Sequence, residues 1–544
     1  MTQPPNQPPY GGFGAPQGGF GAPPPLPPQQ PGPYGQPGPY GQPQQPGPYG
    51  AQPGYGYPPH PQYPGSPGTP PPGSGNPFKG KPGLVIAAAV AALAVIGGTV
   101  YAVTRGGDKK PVAGQSDDPK PTASGSGGSG GSGSGSDPQG FNASRRTGEA
   151  KVLWYESPPD APGAGAEAPG MWITDKAAVK AAYKQVFAYD VTDGSPAWDT
   201  VTFPQKICAV TPQKSADDKI VVAYESGTGQ RAKCNQLQQL DLGTGAKGWS
   251  GTLPEGALFD STLNISLSLS GRTVLVGRAQ SGVAYDIDSG KKLFDKKKYG
   301  SACFPTAFAG GSRLISVATC NASEPNEHDE IQELDPATGR ARWTRKFDKG
   351  WSVARTYSVD PLVVYSTNQD KKAWNISVFD SNGRFRSQVG FDGNFAPQCG
   401  WALLERDLQG CKGVTADADT LYLPTDATTG PNEIVAISLA NGKEKWRVKS
   451  PADASMLPMK VEGGRLIAYV QPSYDVGGQV VSIATSGSGH TPVKLLQNPQ
   501  STAALESAVF TKAFDWVDGR FYLSPTRISG NDDSKGKLML AYGK

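Results

Sequence analysis

Few side chains in this 544-residue sequence could do chemistry. Six are cysteines: Cys208, Cys234, Cys303, Cys320, Cys399 and Cys411, all beyond residue 200. An even count confined to one part of the chain points to disulfides and an oxidising compartment. None has the C-x-x-C spacing of zinc or thioredoxin-type sites. Only two histidines, His328 and His490, lie outside the N-terminal tail. Neither has a partner at metal-ligand spacing, so both are expected on loop surfaces. The acidic run SEPNEHDE (Glu324, Glu327, Asp329, Glu330) lacks the Asp-x-Asp-x-Asp-Gly order of a calcium loop and reads as a solvated hairpin connection. Asp532 and Asp533 read the same way. The distal part has no G-x-S-x-G and no phosphate-binding loop. The expectation is no catalytic residue, no metal ligand and no cofactor.

The elements that would position these residues come as repeats. From Gly148 onward a strand pair ends in an apolar residue plus Asp, a turn with Gly follows, and a short strand closes on Trp. The copies are AYDVTDGSPAW (Asp190, Gly194, Trp198), LDLGTGAKGW (Asp241, Gly245, Trp249), AYDIDSGKKLF (Asp286, Gly290, with Phe294 in the Trp place) and LDPATGRARW (Asp335, Gly339, Trp343). VFDSNGRFRSQV keeps Asp380 and Gly383 without the Trp, and AISLANGKEKW keeps Gly442 and Trp446 with Ser438 for Asp. SIATSGSGH, with Gly487, is degenerate. These glycines are spaced 51, 45, 49, 44, 59 and 45 residues apart. A period near 45 with four short strands per unit is that of a β-propeller. In the motif, Asp accepts backbone N–H groups, Gly supplies positive φ, and Trp packs between blades.

Eight strand pairs precede these turns: MWIT with QVFAYD, KIVVAYE with LQQLDL, TVLVGR with GVAYDI, RLISVAT with IQELD, LVVYST with ISVFD, TLYLPT with EIVAISL, RLIAYV with QVVSIA, and RFYLSP with KLMLAYG. The last pair lacks its closing strand. GEAKVLWYES, with Gly148 and Trp154, supplies that pattern at the start of the domain and is expected to complete the last blade, leaving no open edge. The fold expected is all-β, an eight-bladed propeller, with seven blades as the rival. Connectivity of the cysteines is not fixed by sequence. Sequential pairing is expected, because each adjacent pair then falls within one repeat or its neighbour; six reduced buried thiols are the alternative. Five tryptophans stand outside the pattern: Trp172, Trp351, Trp374, Trp401 and Trp516. Trp351, Trp374, Trp401 and Trp516 are the candidates for a recognition surface, gap-filling between blades being the alternative. Trp401 lies between Cys399 and Cys411 in an insertion, where a disulfide is expected to stiffen an exposed loop.

These repeats resemble the PQQ-like (pyrroloquinoline-quinone type) β-propeller repeat family over about residues 148–544. The whole layout is similar to actinobacterial membrane-anchored PQQ-like repeat proteins with Pro/Gly-rich tails. It also resembles the sensor portion of receptor kinases, but the chain carries no kinase motif. In the family's quinoprotein dehydrogenases the resemblance implies a vicinal disulfide, a stacking Trp and a carboxylate-held Ca²⁺. This chain has no adjacent Cys-Cys.

Ahead of the repeats lies a different kind of sequence. Residues 1–78 contain no Lys, Arg, Asp or Glu and repeat PGPYGQ, a composition that cannot bury enough apolar surface to fold. The tail reads as a solvated tether, with a ligand for a cytoplasmic Pro-binding partner as the alternative. Leu84 to Val103 has no charged residue and is long enough to cross a hydrocarbon core of about 30 Å as a helix. Basic residues flank it on both sides, so charge alone leaves its orientation open. The cysteines favour an uncleaved signal anchor, single-pass in the cell membrane, with the tail in the cytoplasm and the propeller outside. Residues 104–147 read as a Gly/Ser-rich spacer. Beyond residue 120 acids and bases nearly balance, which gives no footprint for nucleic acid. The function expected is a non-enzymatic binding or scaffold module for a protein, peptide or envelope glycan. The alternatives are a quinone-dependent envelope oxidoreductase and a signal relay through the tail.

Overall fold

Strand Lys219–Glu225 shows why this sequence makes a ring. Its alternate residues Ile220 and Val222 pack with Val179 and Val186 on one side, while Val221 and Ala223 pack with Val274 and Val276 on the other. Both faces are dry, so the strand is a continuous apolar run, and full burial of each such side chain stabilises by roughly 1.5–3 kcal/mol. A sheet buried on both faces needs a sheet on each side. Repeated around an axis, that requirement closes a propeller.

The structure, a computed structural model, describes residues 139–399, 407–427, 429–509, 511–530 and 536–544. Eight four-stranded antiparallel sheets form eight blades. Their inner strands are, in order, Met171–Ile173, Ile207–Val210, Ser266–Ser270, Cys303–Ala309, Ser352–Val359, Thr415–Ala416, Met456–Glu462 and Lys512–Val517. Inner strands of neighbouring blades touch around the axis from blade two to three, three to four, five to six and six to seven, and the last touches the first. The eighth blade is closed by Lys151–Glu156, which pairs antiparallel with Met539–Gly543 as its outer strand, as the missing-strand argument required. Seven blades are excluded.

In blade one, MWIT and QVFAYD are not partners in a pair. Met171–Ile173 is the inner strand, and Ala177–Ala182 lies between it and Gln185–Asp190. AAVKAA is weak in β-formers. It is a strand because all six residues are buried between neighbouring strands and blades, where small side chains fit. Lys180 within it is fully buried, its Nζ donating to the Ala168 carbonyl at 2.7 Å.

The folded unit begins upstream of Gly148. Residues 139–147, expected in the spacer, belong to it. Phe141 packs edge-on against Tyr155 at 5.1 Å, and the Asn142 amide exchanges two 3.0 Å bonds with the Val152 backbone. The ring's core and its closing strand therefore lie within 139–544, which is self-contained as a folding unit. The tail and the apolar run 84–103 lie outside the described residues. Among the described residues no helix is long and apolar enough to cross a membrane.

Candidate functional site

The repeat motif is a joint between blades. Asp241 Oδ1 accepts the N–H groups of Gly243 and Thr244, and Asp335 Oδ1 those of Ala337 and Thr338. The Thr338 hydroxyl, then the Arg342 guanidinium, hold the Asp335 carboxyl below the usual carboxylate range. Each closing tryptophan then reaches the next blade. Trp154 Nε1 donates to Val191 at 3.3 Å, Trp198 to Leu242 at 3.0 Å, Trp249 to Ile287 at 2.7 Å and Trp343 to Ser381 at 3.2 Å. In every case the acceptor is the carbonyl that follows the turn aspartate. The ring lies on the next blade's turn glycine, so a Cβ at Gly245 (φ +72°) would sit 2.7 Å from Trp198. Asp190, Gly194, Asp286, Gly290 and Gly339 occupy the same joints. Where blade five lacks the tryptophan, the Ser387 hydroxyl donates to Leu439 in the equivalent position, at 2.8 Å. At blade seven the joint is broken. Trp446 Nε1 finds no acceptor among the described residues, and its ring stacks at 4.3 Å on His490, whose Nδ1 donates to Ala484.

The three disulfides join Cys208 to Cys234, Cys303 to Cys320 and Cys399 to Cys411, the sequential pairing. The first lies within blade two and the second within blade four. Glu330 lies near Cys303 and Cys320, but those sulfurs are bonded to each other and offer no thiolate. The third disulfide does not stiffen an exposed loop throughout. From residue 407, where the described chain resumes, it turns inward: Leu408 is fully buried, and its carbonyl accepts the Thr356 N–H of blade five. The Gln409 amide bonds both the N–H and the carbonyl of Gly310 in blade four, at 2.7 and 2.9 Å. It also accepts from Gln213 of blade two at 3.1 Å. Gln213 in turn accepts the Leu269 N–H of blade three. This segment leads into blade six, which stands opposite blade two in a ring of eight, so Gln409 spans the axis. No sequence pattern marks Gln409. The signal was the long spacing of 59 residues between Gly383 and Gly442.

Neither histidine is a loop surface residue. His328 opens a strand, buried, with Nδ1 donating to Asn326, because the strand pairs it with Cys320 against the sheet. His490 is half-buried on Trp446. In the acidic run, residues 321–327 are the hairpin connection, but Asp329 is buried and accepts from Thr319 Oγ1 and the Val353 N–H. Asp532 and Asp533 lie outside the described residues.

Of the off-pattern tryptophans, Trp172 is core, donating to Thr211. Trp374 is half-buried against Phe395, and Trp516 is half-buried in the core of the last blades. Trp351 lines a cleft of about 430 Å³ with Arg345, Asp348, Asn375, Arg384 and the exposed Phe385. Trp401 lies outside the described residues. The structure does not bring Trp351, Trp374 and Trp516 into one surface.

Buried ionisable groups cluster from blade seven round to blade one. Glu506 is fully buried, and desolvation pushes its carboxyl up to about 7 against hydrogen bonds from Asn498, Tyr469, Thr502 and Gly478. Desolvation also brings Lys180 down to about 7, with Lys412 adding to it, and raises Glu156 to about 7 against the pull of Lys537.

A quinone and its Ca²⁺ do not fit this residue set. No disulfide joins adjacent cysteines, the closest pair being 12 residues apart. The axis, where a closed ring offers a small molecule deep burial, holds Leu408 and Gln409.

The family model described as outer membrane protein assembly factor BamB matches residues 144–302 and 327–509, well over half of the chain. Solved structures similar to it include BamB from Moraxella catarrhalis, 15% identical, covering 72% of this chain and 98% of that one at a TM-score of 0.38. The quinohemoprotein alcohol dehydrogenase of Pseudomonas putida HK5 is 12% identical, covering 73% and 76% at 0.44. That of Comamonas testosteroni is 14% identical, covering 73% and 77% at 0.42. No curated protein matches the chain in sequence. With eight blades jointed by Asp, Gly and Trp and a family match along most of the ring, this chain belongs to the PQQ-type β-propeller family described as outer membrane protein assembly factor BamB.

Proposed function

We propose that the chain is a membrane-anchored, extracytoplasmic propeller that serves as a non-enzymatic binding or scaffold module for a protein, peptide or envelope glycan. The observation that carries this reading is a segment of the chain laid inside the ring and bonded to several blades. Gln409 ties the entry of blade six to blades two and four, so the interior is used for cohesion and the faces are left for partners. Three disulfides support an oxidising compartment, and the uncharged run Leu84 to Val103 supports the anchor. The cleft beside Trp351, with an exposed aromatic and two arginines at its rim, is the recognition site this reading favours. The test is reconstitution of the 139–544 fragment with pyrroloquinoline quinone and Ca²⁺. The expected result is a spectrum that is the sum of its parts. A stoichiometric shifted quinone band would make the chain an oxidoreductase instead.

A further inference from the structure

In this antiparallel topology, connections from an outer strand to the next inner strand emerge on the same ring face as those between second and third strands. Five apolar side chains stand in water on that face. Leu258 (80% exposed), Phe259 (77%) and Leu263 lie on the connection from blade two to blade three. Tyr474 (93%) and Val476 lie between the second and third strands of blade seven. Blades three and seven are opposite one another in a ring of eight.

The first group is held out by its own backbone. Phe259 has φ +69°, a left-handed conformation that large side chains avoid. Next to it, Asp260 is buried and takes the Gln280 N–H at 2.7 Å, the Ser281 hydroxyl at 2.6 Å and Arg278 Nε at 3.2 Å. Glu255 accepts from the Thr262 N–H and hydroxyl, fixing the other end. A loop so tightly pinned could bury its two largest apolar groups, and instead it aims them outward. Cations surround them. Lys297 and Lys298 line a cleft with Ala257, and Lys233 reaches Glu255 at 3.1 Å. Arg231 is on the neighbouring connection of the same face. The nearby carboxylates are engaged: Glu255 with Lys233, Asp295 with Lys292 and Lys297, and Asp260 with Arg278. Asp475 beside Tyr474 accepts from Ser473.

We propose that this face docks the propeller flat onto an anionic lipid bilayer. Leu258 and Phe259 enter the interface on one side and Tyr474 and Val476 on the other, while Arg231 and Lys298, which take no part in the ion pairs of Lys233 and Lys297, meet the lipid headgroups. Apolar groups at opposite edges of one face suit a plane, whereas a peptide would engage only one edge. Exposed Leu and Phe beside basic residues are the composition that binds an anionic membrane surface. The proposal takes from the anchored reading only the nearness of a bilayer, and its test supplies lipid in trans, so the two fail separately.

The experiment is flotation of the 139–544 fragment with phosphatidylcholine vesicles, pure or with about 30% phosphatidylglycerol, since anionic lipid supplies the attraction. The expected result is flotation with the anionic vesicles only, lost in high salt and cut about fivefold or more by the double substitution Leu258→Ser, Phe259→Ser and again by Tyr474→Ser, because each removes inserted apolar area. These residues are exposed, so the variants should unfold where the parent does, which a melting curve checks. Absence of flotation, or flotation unmoved by the substitutions, overturns the proposal. So does substitution-sensitive capture on polyglutamate beads without vesicle binding, which would make the partner an acidic peptide.

Discussion

The joint between blades two and three and the joint between blades six and seven start from the same residue type and end differently. Trp249 packs on the Gly290 turn and donates its indole N–H to Ile287. Trp446 has no such acceptor, and an imidazole from a degenerate turn fills the place of the missing glycine contact. Blade seven is secured by other means. Glu506, on the short helix Ala503–Ala508, gathers Tyr469, Gly478, Asn498 and Thr502 around one buried carboxyl. The hub lies within blade seven and the connection that follows it, so it holds that blade together without bridging to blade six. The two devices differ in character, because the indole joint is indifferent to pH and the carboxyl hub is not.

The comparison breaks most visibly at Trp249. Replacing a packed Trp with Ala leaves a cavity, so Trp249→Ala should lose about 4 kcal/mol in urea unfolding. The next effect belongs to pH. Glu506 has its folded pKa raised to about 7 from 4.5, so its contribution is fully present below pH 4.5 and is lost as pH rises through 7. At 1.36 kcal/mol per unit, that is a decline of about 3 kcal/mol across this window. Glu506→Gln should reduce the slope of the stability profile there, leaving the part due to Glu156; an unchanged slope would remove Glu506 from the account. The smallest effects sharpen the contrast. Trp446→Ala should cost about 2 kcal/mol, since no hydrogen bond is lost with the ring. Phe at position 249, which copies Phe294 of blade three, should cost about 1 kcal/mol for the lost bond, whereas Phe at position 446 removes an unpaired N–H and should be neutral within about 0.5 kcal/mol. Equal losses at the two positions would erase the distinction between the joints.

The ring itself was legible because its joints depend on local chemistry. Asp, Gly and Trp at fixed offsets each meet a need of a turn or a packing contact, and the period follows from counting them. The closing strand Lys151–Glu156 was legible for the same reason, as a motif lacking its partner. Ala177–Ala182 was not, because its strand state is imposed by burial on both faces rather than by its residues. His328 and His490 looked like surface residues because a lone histidine in a polar run carries no sign of the sheet or ring that covers it. Gln409 was hidden for a plainer reason: its partners lie 99 and 196 residues away in sequence. Contacts across the axis belong to the closed ring and to no segment of it.

The outer strand that seals blade eight is also where the chain from the N-terminal side joins the ring. Mechanical load arriving along that chain would meet the seam first. Lys151 pairs with Gly543, so a pull on the N-terminal side works on the ladder one rung at a time, from that end, rather than shearing all its bonds together. Ahead of the ladder stand two bonds to blade seven and the connection after it: the Phe141 carbonyl accepts the Ser501 hydroxyl at 2.6 Å, and the Ala150 N–H donates to the Gln497 carbonyl at 2.7 Å. They act as a strain relief, taking tension before it reaches the strand on which the integrity of the whole circle depends.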